Sequence, residues 1–235
     1  MLSRFATLGG GGDPYWANVS YLLVGNGANG TTTNIKDSSS NNLATTVFGN
    51  TVISTAQSVY GGSSVYFDGI GDYLTVADSS VIELSSNNFT IEFWINTSQT
   101  ANYSTIISRS PVSYSSGDWS FLLNNGSSGN CAFYSFDICV GGLTTSGVTI
   151  NDGAWHYIAL VRSTSTLTIY VDGTSRASTS TSGTIANLAA AVYIGKDQYY
   201  GRDLNAYLYD LRVTNGVARY SGSTMTIPTA PLPIG

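Results

Sequence analysis

Three observations predict an all-β chain. Helix formers are scarce, with Glu only at positions 83 and 92 and Lys only at 36 and 196. Residues that suit strands and turns dominate instead: 16 Tyr and 27 Thr on one side, 26 Gly and 33 Ser on the other. From Tyr21 onward, short apolar or alternating runs recur between Gly, Ser and Asn clusters, the pattern of a sandwich or barrel rather than of βαβ units. A length of 235 residues suits one such domain.

Residues 1–14 stand apart from that pattern. Leu2, Phe5 and Leu8 fall at i, i+3 and i+6, forming one apolar stripe, and Gly9–Gly12 with Asp13 and Pro14 read as a flexible hinge. A lone helix of this length is marginal in water. The stripe is therefore expected to anchor the body (15–235) on another protein or a symmetry mate, a disordered terminus being the plain alternative.

Strands are expected at 21–26, 64–67, 73–76, 89–97, 104–108, 119–123, 155–162, 167–172, 192–195 and 206–214. In 89–96 the period is two: Phe89, Ile91, Phe93 and Ile95 share one face, and Thr90, Glu92, Trp94 and Asn96 the other. Residues 155–162 are apolar on both faces, which predicts a central strand covered on each side. Asp172-Gly173 ends its strand in a hairpin turn, and Asn151-Asp152-Gly153 supplies the turn before Trp155.

Several function classes fall away on composition. With a pI near 4.5 and nine scattered basic residues, the chain lacks the clustered Lys/Arg that nucleic-acid phosphates require. No apolar run approaches the roughly 18–20 residues of a membrane-spanning helix. Residues 1–9 lack the apolar core of a secretory signal, so synthesis in the cytoplasm is expected. Cys131 and Cys139 would face each other across a hairpin turning about Ser135; a cross-strand disulfide and two free buried thiols both remain open. Two Cys and one His cannot build a structural zinc site.

A series of motifs carries a family resemblance: Phe67-Asp68-Gly69-Ile70-Gly71-Asp72-Tyr73-Leu74, Phe89-Thr90-Ile91-Glu92-Phe93-Trp94-Ile95, Trp155-His156-Tyr157-Ile158-Ala159-Leu160-Val161-Arg162, Tyr170-Val171-Asp172-Gly173 and Tyr193-Ile194-Gly195, ending at 208–214. In this order and spacing they resemble laminin G-like domains of the concanavalin A-like lectin/glucanase superfamily, over about residues 15–232. The flanks 13–23 and 216–231 resemble laminin G-like proteins of tailed phages, of the marine and cyanobacterial type. The resemblance implies a jelly-roll sandwich of two antiparallel sheets, often with calcium. It also implies a place on the virion, as a capsid decoration or fibre-like module held by other virion proteins, as a homo-oligomer on the particle. A lectin-like tail protein binding host polysaccharide is the alternative.

The superfamily includes glucanases, whose chemistry usually needs two carboxylates flanking the scissile bond. Glu92 has Thr90, Trp94 and Asn96 as same-face neighbours, and the Glu-x-Asp-x-x-Glu pattern of those glucanases is missing, so no catalytic residue is expected. His156 lies mid-strand with no recognisable nucleophile motif, and a structural role is expected for it. Calcium wants six to eight oxygens. Asp37 and Asn41 sit on a loop resembling one that sometimes holds calcium in laminin G-like domains, although the family usually has Gly where Ser40 stands. Asp68 and Asp72 could add carboxylates, with Asp210 a further candidate; the same residues serve equally as Asx turns. Two loops mix aromatic and polar groups as sugar sites do: Asp197, Tyr199, Tyr200 and Arg202 on one, Tyr114 and Trp119 on the other. Core or inter-protein packing is the competing use of those rings.

Overall fold

The computed structural model describes residues 12–111 and 114–235; Leu2, Phe5 and Leu8, and with them the expected anchoring stripe, lie outside the described residues. In chain order the strands are β1 (Val19–Leu23), β2 (Thr45–Phe48), β3 (Val52–Ser54), β4 (Ser64–Asp68), β5 (Tyr73–Val76), β6 (Phe89–Asn96), β7 (Ser104–Arg109) and β8 (Trp119–Leu123). They continue with β9 (Cys131–Ser135), β10 (Cys139–Thr144), β11 (Trp155–Ser163), β12 (Thr166–Val171), β13 (Thr174–Ser180), β14 (Val192–Ile194) and β15 (Asn205–Asn215).

These strands form two antiparallel sheets, the expected jelly-roll sandwich. One runs β13-β12-β11-β6-β15-β4-β3, with β1 also paired to β15; the other runs β10-β9-β8-β7-β14-β5-β2. The period of two in β6 is realised: Phe89, Ile91, Phe93 and Ile95 are all fully buried in the core between the sheets. Phe93 meets Phe121 of the opposite sheet edge-on, with ring centroids 5.6 Å apart. Strand β11 is central, as its doubly apolar pattern predicts. Ile158 and Leu160 enter the core, while Ala159 and Val161 point outward beneath Ala218, Tyr220 and Met225.

Those last three residues belong to a segment that follows β15 and runs back over the outer face of the eight-stranded sheet. Met225 N donates to Gly173 O (2.8 Å), Tyr60 Oη to Pro228 O (2.7 Å) and Leu232 N to Asp210 Oδ2 (2.7 Å). The tail meets the start of the domain where Asp13 N donates to Gly235 O (3.2 Å). Asp13, placed in the hinge by its sequence context, is buried and belongs to the fold.

The two cysteines do not face each other. Ser135 pairs with Cys139 at the mouth of the β9–β10 hairpin, so Cys131 lies further from the turn, where its O accepts from Thr145 N (2.9 Å). Both thiols are free and buried, and burial pushes Cys131 up to about 12 and Cys139 to about 11.

Candidate functional site

Strands β8 and β9 alternate strictly. Phe121, Leu123, Cys131 and Phe133 enter the core, leaving Ser120, Leu122 and Tyr134 on the outer face of the seven-stranded sheet. Two loop segments rise over this face, one at 114–118 before β8 and one at 196–203 between β14 and β15. Between them lies a cleft of about 440 Å³, within the roughly 300–1,000 Å³ of small-molecule sites. Five of the six residues singled out as sugar-binding line it: Tyr114, Trp119, Asp197, Tyr200 and Arg202. Tyr199 does not. It is 53% exposed and packs edge-on against Tyr200, with centroids 4.8 Å apart.

Their roles differ from a simple stacking platform. Trp119 is 3% exposed and belongs to the core, so little of it is open to a ligand. Asp197 shapes its own loop. Its Oδ1 accepts from the N–H groups of Tyr199 (3.0 Å) and Tyr200 (2.8 Å), an Asx turn, and its Oδ2 from Ser120 Oγ (3.3 Å). The Arg202 guanidinium lies 4.1 Å from the Tyr200 ring centroid and 4.5 Å from that of Tyr103.

The other loop is held by Asp137, whose carboxylate accepts from Ser116 Oγ (2.8 Å), Gly117 N (2.7 Å) and Ala186 N (2.9 Å). Its burial is outweighed by these hydrogen bonds, which keep the carboxyl below its usual range. Gly117 takes a positive φ of +92°, and a Cβ there would run into Leu188, so glycine is required. Next in the chain, Asp118 is 3% exposed. Its Oδ2 accepts from Ser115 N (2.7 Å), but its Oδ1 is buried with no partner among the described residues. Burial, with the charges of Asp197 and Asp137, pushes this carboxyl up against the pull of Ser115. Sequence reasoning missed Tyr103 and Tyr134, and it placed Asp118 only as part of the candidate 114–119 loop. The alternation of β9 could have placed Tyr134, whereas nothing local marks Asp118 as unsatisfied.

The residues offered for calcium are engaged by backbone groups. Asp37 accepts backbone N–H from Leu22 (3.0 Å), Ser39 (2.8 Å) and Leu43 (2.8 Å), tying its loop to β1, and Asn41 Nδ2 donates to Val19 O (2.8 Å). Asp72 is fully buried and accepts from the backbone of Asp68 (2.9 Å) and Asn50, while Asp68 Oδ1 accepts from Ile70 N (2.7 Å). Asp210 stands at the β15 bulge with φ +51° and accepts from the tail. Among the described residues, no three His, Cys, Asp or Glu side chains gather as a metal site. These carboxylates act as Asx and loop-closing groups.

Two further clusters are polar and closed. His156 is clasped by Asp172 (Nδ1–Oδ2, 2.6 Å) and Asp152 (Nε2–Oδ1, 3.1 Å), so both ring nitrogens face carboxylates rather than a nucleophile. The Asp172 hydrogen bond, partly offset by burial and supported by Asp152, raises the imidazole's pKa. Glu92 is fully buried beneath the tail, accepting from Arg212 Nε (2.7 Å), Tyr157 Oη (2.6 Å) and Tyr220 Oη (2.6 Å). Asp13 completes the group with Arg212 Nη1 (2.8 Å) and Arg219 Nη2 (2.7 Å). Burial alone would push Asp13 up, but hydrogen bonds from Arg219 and Tyr15 N and the two guanidinium charges hold it below its usual range.

Comparison with known proteins agrees with this architecture. No curated protein sequence matches the chain. Solved structures with the same fold include the binding domain of Paraclostridial Mosquitocidal Protein 1, at TM-score 0.66 and 16% identity over 86% of this chain and 50% of that one. Domain 4 of AbnA, a GH43 extracellular arabinanase of Geobacillus stearothermophilus solved with arabinotriose, matches at TM-score 0.64 and 14% identity, covering 86% and 94%. The botulinum neurotoxin serotype D/C VPI 5993 binding domain matches at TM-score 0.60 and 13% identity, covering 86% and 50%. The chain thus spans half the length of the two toxin binding domains and nearly all of the arabinanase domain. The Laminin_G_3 family model matches residues 67–219, from β4 through β15 and including both loops of the cleft. The chain belongs to this family of the concanavalin A-like lectin/glucanase superfamily.

Proposed function

We propose that the chain is a non-catalytic, lectin-like module that receives polysaccharide in the cleft between the 114–118 and 196–203 loops. The observation that carries this is the convergence, on one open sheet face, of aromatic rings with a buried, half-satisfied carboxylate. Rings take the C–H faces of a sugar and polar groups its hydroxyls. The likeness to a domain solved with arabinotriose and to toxin binding domains supports the class of function. The test is a glycan array with the chain displayed multivalently, because shallow single sites bind weakly. Binding abolished by Tyr200→Ala and no cleavage of the bound glycan are expected; an array without hits, or released sugar products, would overturn the reading.

We read its setting as the virion, where it attaches to host polysaccharide. Support comes from the phage-like flanks 13–23 and 216–231, which lie largely outside the family match at 67–219 and meet at the Asp13–Arg219 pair. Deleting residues 1–12 leaves Asp13 in place and is expected to preserve folding while reducing incorporation into particles. Full incorporation would remove residues 1–12 as the anchor, and absence of the chain from purified particles would remove the virion setting.

A further inference from the structure

The cleft wall contains an arginine that no described residue neutralises. Elsewhere, Arg109 pairs with Asp78 and Glu83, and Arg212 and Arg219 with Asp13 and Glu92. Arg162 donates to the carbonyls of Ser85 and Gly183, and Arg176 to that of Gly147. The guanidinium of Arg202 makes no hydrogen bond or ion pair with any described residue and instead lies over the rings of Tyr103 and Tyr200. The chain carries 14 Asp and Glu against nine Lys and Arg, and nearby Lys196 does take one, Asp203, at 3.3 Å. A guanidinium held over aromatic rings by cation–π attraction still has its N–H groups to give, and its planar fork matches a carboxylate through two parallel hydrogen bonds.

The same cleft offers the opposite need. Asp118 lines the cleft, its Oδ1 is covered and without a donor among the described residues, and a sugar hydroxyl brought against it would supply one, removing the cost of a bare buried acceptor. A neutral sugar satisfies Asp118 and leaves Arg202 idle; a simple anion does the reverse. Resting on the lectin-like reading above, we propose that the cleft selects acidic glycans of the hexuronate kind, with Arg202 taking the sugar carboxylate and Asp118 accepting from a ring hydroxyl. A formal charge of −5 opposes general attraction of polyanions, so any such preference has to come from this local contact.

Binding of the full chain is measured against polygalacturonate, alginate and hyaluronate, against each polymer with its carboxylates reduced to primary alcohols, and against dextran sulfate. At least one uronate polymer is expected to bind ten-fold or more tightly than its reduced form and than dextran sulfate. Arg202→Gln is expected to narrow the first ratio to less than three-fold without changing the melting temperature. Equal binding of native and reduced polymers, dextran sulfate binding as tightly, or binding confined to neutral glycans overturns the acid preference and leaves the lectin-like reading standing. No binding to any glycan, acidic or neutral, overturns both. Because the polymer ratio is read on the unmodified chain, it stands even if the variant folds poorly.

Discussion

The outer faces of the two sheets have opposite characters. On the eight-stranded sheet, the returning tail closes over Glu92, Arg212, Asp13 and Arg219, and each of these charges meets an opposite one at 2.6–2.8 Å. On the seven-stranded sheet the face stays open, and there Asp118 Oδ1 and the Arg202 guanidinium lack hydrogen-bonding partners among the described residues. Glu92 and Asp118 are both buried, so burial does not separate them; the completeness of their pairing does. The satisfied Glu92 network ties the tail to the sheet, and under the lectin-like reading proposed above the bare Asp118 oxygen is the one a ligand hydroxyl would meet.

The largest expected effect comes from opening the closed face. Removing residues 216–235 uncovers Tyr170, Val161 and Ala159 and strips Glu92 and Asp13 of Arg219 and Tyr220. The truncated chain is expected to aggregate or remain unfolded on gel filtration; a soluble, cooperatively folding product would show that the tail is dispensable.

Neutralising one buried carboxylate on each face sharpens the contrast. Glu92→Gln leaves Arg212 short of a counter-charge and is expected to cost about 3–5 kcal/mol, a fall in Tm on the order of 10 °C for a domain of this size. Asp118→Asn removes a charge that burial already disfavours, so Tm is expected to hold or rise slightly. Its affinity for the bound glycan should drop about ten-fold, the equivalent of about 1.4 kcal/mol. Paired denaturation and binding measurements check both, and similar stability losses in the two variants would erase the distinction.

The smallest effect is in pH. His156, with its pKa raised in the folded state by Asp172 and Asp152, contributes stability that is fully present below the unfolded imidazole value. That contribution is lost as pH rises through the folded one. Both aspartates are partly exposed, so the contribution is expected to stay below about 1 kcal/mol. His156→Gln should flatten the stability profile between pH 6 and 8; an unchanged slope would place the titration elsewhere.

The strands that alternation identified are those at or near the centres of the sheets, β6, β11, β8 and β15 among them, because a strand buried on one or both faces must write that burial into its sequence. The strands it omitted are β9 and the four edges, β13, β3, β10 and β2. Edge strands are short or polar and draw their order from a neighbour's hydrogen bonds rather than from their own apolar residues. Strand β13, Thr-Ser-Arg-Ala-Ser-Thr-Ser, has no buried residue at all.

The site divides along the same line. Loop composition alone marked five of the cleft's residues, since mixed aromatic and polar loops between short strands are local facts. Local sequence could not decide that Asp37 and Asp72 are filled by backbone N–H groups, that Cys131 faces Thr145 rather than Cys139, or that Glu92 is sealed beneath a tail more than a hundred residues away. Nor could it decide that Asp118 Oδ1 and the Arg202 guanidinium lack hydrogen-bonding partners among the described residues. Composition sets which donors, acceptors and charges a chain carries; which of them are spent on each other depends on long-range register and closure, and only the tertiary structure settles that.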